Sequence, residues 1–238
     1  MSQISCGPWL LHWLTPEILV SDSELEQGVH PSEWDEALDW KSQIRRSEYL
    51  RSRWLLRQLT KYHDKLGKTP AGAPIWPPGL VGSLTHKSGF IGLVLAPTHE
   101  WLSLGIDAED PAKMRLDFVP RLCNEAEATL LQGLAGGDDE HHRLLLTVLF
   151  SFKESLFKVL FPLGETMFYF HDAQVINIDQ QTEQISIRLL RQVSPLTPAG
   201  FVLTGSYRCF ASVGRNFVLT CVGMGRATSG GTGSDSCG

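Results

Sequence analysis

The chain has 238 residues and a formal net charge of −5, and its 42% hydrophobic and 20% charged content belongs to a folded globular protein rather than a disordered one. The acidic balance argues against broad binding to nucleic acid or anionic membranes, and no apolar run is long enough to span a bilayer. Five scattered cysteines without a C-x-x-C argue against a disulfide framework and a structural zinc site.

The first twenty residues lack a basic stretch and contain Pro8, Pro16 and Glu17, so no signal peptide is expected, and a reducing, cytoplasmic setting is. Residues 1–30 read as an irregular or strand-like lead-in. Residues 32–67 read as helix, and the broken stripe Trp34, Leu38, Ile44, Tyr49, Trp54, Leu55 and Leu59 predicts two helices rather than one. A Pro/Gly loop follows at 69–79. Three short apolar runs, 80–86, 89–96 and 101–109, predict strands, with the second and third joined as a hairpin through "PTHE". Residues 120–136 and 140–161 predict helices. The stretches "AQVINID", "QISIRLL", "GSYRCFASVG" and "FVLTCVGM" predict strands, and 225–238 is a flexible tail by composition. The order is an α+β chain in two roughly similar halves, with subdomains expected at 1–104 and 105–224.

Polar residues inside greasy elements carry the chemistry. In "FSFKESLFK" (150–158), about 100° per residue puts Thr147, Ser151, Glu154 and Lys158 on one narrow stripe, with Lys153 pointing the other way. The bland reading is a surface i,i+4 pair of Glu154 and Lys158. A buried carboxylate instead needs a cation or metal. Strand alternation in "LGIDAED" puts Asp107 and Glu109 on one face. With Glu154 they make three carboxylates, which suits Mg²⁺ and a phosphate-bearing substrate. "GSLTHKSG" (82–89) offers hydroxyl and imidazole donors. Arg45, Arg46, Arg51 and Arg53 form either a solvated face or a phosphate clamp.

The ordered set "GSLTH … GIDAE … FSFKESLFK" resembles the 4′-phosphopantetheinyl transferases of the surfactin/enterobactin-synthetase type, over about residues 40–220, with "PIWPPGLVGSLTH" and "SLFKVLFPL" similar to the enterobactin branch. The resemblance implies a pseudo-twofold α+β fold of two subdomains with coenzyme A in the cleft between them. It implies Asp107, Glu109 and Glu154 as Mg²⁺ ligands, Lys158 and Lys153 as phosphate-neutralising lysines, and His86 with Thr85 as contacts to a coenzyme A phosphate. It further implies Arg46 and Arg53 at the 3′-phosphate. The base expected for such a transfer is Glu154 or a metal-ordered water, with Glu127 as the rival. The partner implied is an apo acyl- or peptidyl-carrier protein of siderophore, nonribosomal peptide, polyketide or polyunsaturated fatty acid synthesis. A monomer is sufficient. Two departures stand out: "GAPIWP" replaces a lysine-bearing G-K-P, leaving Lys68 as the nearby lysine, and Lys87 follows His86 where Ser or Cys is common. The competing readings are a Mg²⁺-dependent coenzyme A or nucleotide phosphodiesterase and a non-catalytic binding module.

Overall fold

The computed structural model describes residues 2–15, 18, 20–87, 89–212 and 214–226; the expected tail lies almost wholly outside these. Two antiparallel sheets and six α-helices make up the fold among the described residues. The first sheet has the order β1-β2-β4-β3, from Ser2–Cys6, Trp9–Leu14, Phe90–Pro97 and Leu80–Lys87 respectively. The second has the order β5-β9-β8-β7-β6, from Trp101–Glu109, Arg215–Gly225, Val202–Ser212, Gln184–Leu189 and Ala173–Asp179.

The lead-in is thus a hairpin, turned at Gly7 (φ +59°), followed by helix α1 (Asp22–Gly28). The two helices expected over 32–67 are α2 (Pro31–Leu38) and α3 (Gln43–Thr60), which starts at a Ser42 side-chain cap. The expected helix over 120–136 is two, α4 (Val119–Leu122) and α5 (Glu125–Ala135). Asn124 breaks it by capping α5: its side chain accepts from Glu127 N, and the Glu127 carboxylate accepts from Asn124 N. Helix α6 runs over Asp139–Gly164 and passes Pro162 before a left-handed Glu165 ends it.

The expected hairpin of 89–96 with 101–109 is not formed. β4 pairs with β3 and β2, while β5 crosses to the second sheet and pairs with β9, Asp107 opposite Thr220. The division expected at 104/105 falls inside β5; the turn at 98–100 is where the chain changes sheets.

Strand alternation explains why β5 sits at the centre of the molecule. Leu104, Ile106 and Ala108 join Trp9, Leu11, Phe90, Phe217 and Leu219 in an apolar core shared by both sheets. Gly105, Asp107 and Glu109 turn to the other face. A Cβ at Gly105 would lie 1.9 Å from the Ser155 carbonyl oxygen, so only glycine lets the α6 backbone come this close. Leu149, Phe152, Leu156 and Val159 bury the rest of α6 on the second sheet, and α3 packs on the first through Leu55 and Leu56 against Ile91 and Leu93. No helix among the described residues is long and apolar enough to cross a membrane.

Candidate functional site

The site forms where β3, β5 and α6 meet. β3 and β5 do not share a backbone ladder; the "GSLTH" hydroxyls stand in for one. Ser83 Oγ accepts from Ile106 N at 3.0 Å, and Thr85 Oγ1 accepts from Ala108 N at 3.0 Å. Thr85 also donates to Asp107 Oδ1 at 3.3 Å. Both hydroxyls are buried, so this part of the motif joins the two halves. Thr85, expected at a coenzyme A phosphate, has its hydroxyl engaged in that seam.

Asp107 is the hub. Its carboxylate accepts from Ser151 Oγ at 3.0 Å and from Lys158 Nζ at 2.9 Å, and Lys158 also donates to Ile106 O at 2.8 Å. Ser151 and Ser155 both reach Thr220 on β9. The polar stripe of α6 therefore docks on β5 and β9, and Lys158 lies on Asp107 rather than pairing along its own helix with Glu154. Glu109 is ion-paired to Lys87. Burial pushes the Glu109 carboxyl up, with Asp107 and Glu154 adding to the shift and Lys87 opposing it. Burial likewise pushes Glu154 up, reinforced by Asp107 and opposed by Lys158 and Lys87. The three carboxylates thus sense one another as a half-buried negative cluster.

Hard carboxylate oxygens of this kind fit Mg²⁺, and a cluster that burial and mutual repulsion make unfavourable gains from a divalent cation. Among the described residues no three His, Cys, Asp or Glu side chains stand together as a ready-made metal cage. Two of the three carboxylates carry a lysine ammonium instead.

Lys153 and Glu127 are elsewhere, and together. Lys153 Nζ donates to Glu127 at 2.8 Å, to Leu122 O at 2.9 Å and to Phe170 O at 2.8 Å, with both side chains fully buried. Glu127 also accepts from Val175 N at 2.7 Å. Burial pulls the Lys153 pKa down while Glu127 holds it up. This pair ties α4, α5, β6 and the 3-10 turn at Phe170–Asp172 to α6 on the side away from Asp107. The structure gives a Lys153 contact to coenzyme A, and a Glu127 base, no path to the cluster: every oxygen and proton of the pair is engaged inside the core.

A cationic pocket lies beside the hub, lined by Arg45, Arg53, Lys68, Tyr49, Thr85 and His86. Glu33, fully buried on α2, holds Arg57 at 2.8 Å and Arg53 at 3.4 Å, and Arg53 stacks over the Tyr49 ring at 4.5 Å. His86 Nδ1 lies 3.3 Å from Glu48. Arg46 does not line this pocket; it lies over the Trp34 ring at 5.9 Å. Arg45 and Arg53 both line the pocket, whereas the Arg46 guanidinium is taken up by the Trp34 face on α2. Arg45, Lys68 and the Glu33 brace are the residues that sequence reading missed or left unassigned. The Tyr49 face of α3 was the available signal for Arg45; nothing local marks Glu33.

An apolar slot of about 590 Å³ opens between Trp76, Leu84, Leu102, Phe157, Phe161 and Lys158, the lysine bonded to Asp107. Pro74 and Leu84 line both this slot and the cationic pocket, so the two are neighbours.

Residues 103–219 match the sequence model of the 4′-phosphopantetheinyl transferase superfamily, and residues 36–96 match that of the 4′-phosphopantetheinyl transferase N-terminal domain. The chain is 38% identical over 119 residues to 4′-phosphopantetheinyl transferase Svp of Streptomyces mobaraensis, covering 50% of this chain but 47% of that protein, about half its length. It is 33% identical over 152 residues to Npt of Nocardia iowensis, covering 62% of this chain and 65% of the relative. It is 31% identical over 189 residues to the 4′-phosphopantetheinyl transferase PptT of Mycobacterium tuberculosis, covering 75% of this chain and 78% of the relative. From its two-sheet fold, its motif-bearing cleft and these matches, the chain belongs to the 4′-phosphopantetheinyl transferase family.

Proposed function

We propose that this protein transfers the 4′-phosphopantetheine arm of coenzyme A to a serine hydroxyl of an apo acyl- or peptidyl-carrier protein, releasing adenosine 3′,5′-bisphosphate. The observation that supports the reading is that Asp107 bonds both to Thr85, which lines the cationic pocket, and to Lys158, which lines the apolar slot, so the two environments flank the carboxylate cluster. A ligand with a phosphate-rich head, a pyrophosphate and a long thin arm matches them in that order.

In this reading Arg45, Arg53, Lys68 and His86 receive the nucleotide phosphate, with the Arg53 guanidinium held in place by Glu33. Lys158 neutralises charge at the pyrophosphate. Asp107, Glu109 and Glu154 would hold Mg²⁺, which supplies charge neutralisation at the phosphate that leaves. The serine oxygen forms the new bond to the phosphorus nearest the pantetheine, and the bond to the bridging pyrophosphate oxygen breaks. Glu154 or a water ordered by the cluster takes the serine proton. Positioning and electrostatics carry most of the catalysis, as phosphoryl-type transfer requires. A carrier of siderophore, nonribosomal peptide, polyketide or fatty acid assembly fits the reading, and the protein acts as a cytoplasmic monomer.

Chromatography of adenosine 3′,5′-bisphosphate released from coenzyme A tests it. Release that needs an apo carrier supports transfer. Release at the same rate without a carrier would instead favour a phosphodiesterase, and binding without release a non-catalytic module. The pocket assignment is tested separately by calorimetry. Arg45→Ala is expected to weaken coenzyme A binding about tenfold, the order of one lost charge-assisted contact. Arg46→Ala is expected to leave it within about twofold. The reverse ranking would contradict the pocket as described.

A further inference from the structure

Lys87 stands at a position the cationic pocket does not use. Its ammonium is ion-paired with Glu109 Oε2, with the lysine side chain 31% and the glutamate 13% exposed. Lys158 holds Asp107 in the same manner, with Lys158 reaching in from α6 and Lys87 from the end of β3. Three carboxylates are therefore balanced by two ammonium groups. The two lysines differ in their ties. Lys158 is fixed by a second bond to the Ile106 carbonyl, whereas Lys87 is ion-paired to Glu109 and adds a longer-range pull on Glu154. A divalent cation shared by the cluster has to compete with each ammonium it meets.

We infer that Lys87 is a built-in competitor for the divalent cation: it neutralises Glu109 in the metal-free protein and sets how much Mg²⁺ the cluster needs before Glu109 can act as a ligand. The inference rests on the metal reading of Asp107, Glu109 and Glu154. The lysine contributes stability to the metal-free state and works against cation binding.

The test uses Mn²⁺ as probe and the full chain without coenzyme A or carrier. Free Mn²⁺ is followed by electron paramagnetic resonance during titration of wild type, Lys87→Gln, Lys87→Arg and Asp107→Ala. Lys87→Gln is expected to bind Mn²⁺ about fivefold more tightly, the size of one partly exposed ion pair. Its melting temperature without metal should fall, and Mn²⁺ should raise it by more than in wild type. Lys87→Arg, which keeps the charge, should bind like wild type. Equal or weaker Mn²⁺ binding by Lys87→Gln, with wild-type binding abolished in Asp107→Ala, would overturn the inference and leave the metal reading standing. Binding unaffected by Asp107→Ala would overturn both.

Discussion

Gly105→Ala is expected to destabilise the protein by about 3 kcal/mol, the upper end of ordinary overpacking. The added methyl would sit 1.9 Å from the Ser155 carbonyl oxygen and 2.8 Å from its carbon, and real Cβ atoms do not approach below 3.0 Å. Neither side can give cheaply. β5 is held by β9 on one flank and by the Ser83 and Thr85 hydroxyls on the other, and α6 is packed into the larger core. Any retreat of α6 also pulls Ser151 and Lys158 from Asp107, so the substitution should cost ligand binding as well as stability. Urea unfolding followed by circular dichroism measures the first effect. Gly133→Ala is the matched control: it lies on α5 with nothing within 4 Å of the added carbon, and should stabilise by roughly 0.5–1 kcal/mol. A Gly105→Ala protein as stable as wild type would show that α6 does not seat on β5 through this glycine.

Lys153→Met is expected to cost about 3–5 kcal/mol, because it leaves the Glu127 carboxylate buried without its cation. At about 2–4 °C per kcal/mol for a chain of this size, the melting temperature should fall by roughly 10 °C. Glu127→Gln should behave similarly, stranding the ammonium. The double variant should lose less than the sum of the two, since removing both charges together removes the stranded one. The pair is also the seam between α6 and the α4–α5 connection, and the loss should therefore appear as global instability. Coenzyme A affinity, measured by calorimetry at a temperature where the variant is folded, should stay within about twofold of wild type. A Lys153→Met protein with wild-type stability and tenfold weaker coenzyme A binding would return Lys153 to the ligand.

What the sequence made legible were features written into local periods. Alternation in "LGIDAE" separates Leu104, Ile106 and Ala108 from Gly105, Asp107 and Glu109, and the two sets do face different layers. The helix period of 147–158 puts Ser151 and Lys158 on Asp107 and sends Lys153 the other way. Pairing between distant segments was not legible. β5 reads as the second arm of a hairpin because the turn before it is short, yet its partner strand β9 lies more than a hundred residues on. The same limit hides Glu33, whose value comes only from meeting Arg53 and Arg57 across a helix pair. It also hides the Glu127–Lys153 pair, where two polar residues in separate helices satisfy each other. The choice between Arg45 and Arg46 is not legible either, because it depends on Trp34, on a different helix, taking up Arg46 while Arg45 lines the pocket.

The central claim is tested most directly by intact-mass spectrometry of an apo carrier protein incubated with this protein, coenzyme A and Mg²⁺. The account predicts that the carrier gains the mass of one phosphopantetheine, and that the gain disappears with EDTA and with Asp107→Ala. An unchanged carrier mass across several acyl- and peptidyl-carrier proteins, with the coenzyme A hydrolysed or intact, would contradict it.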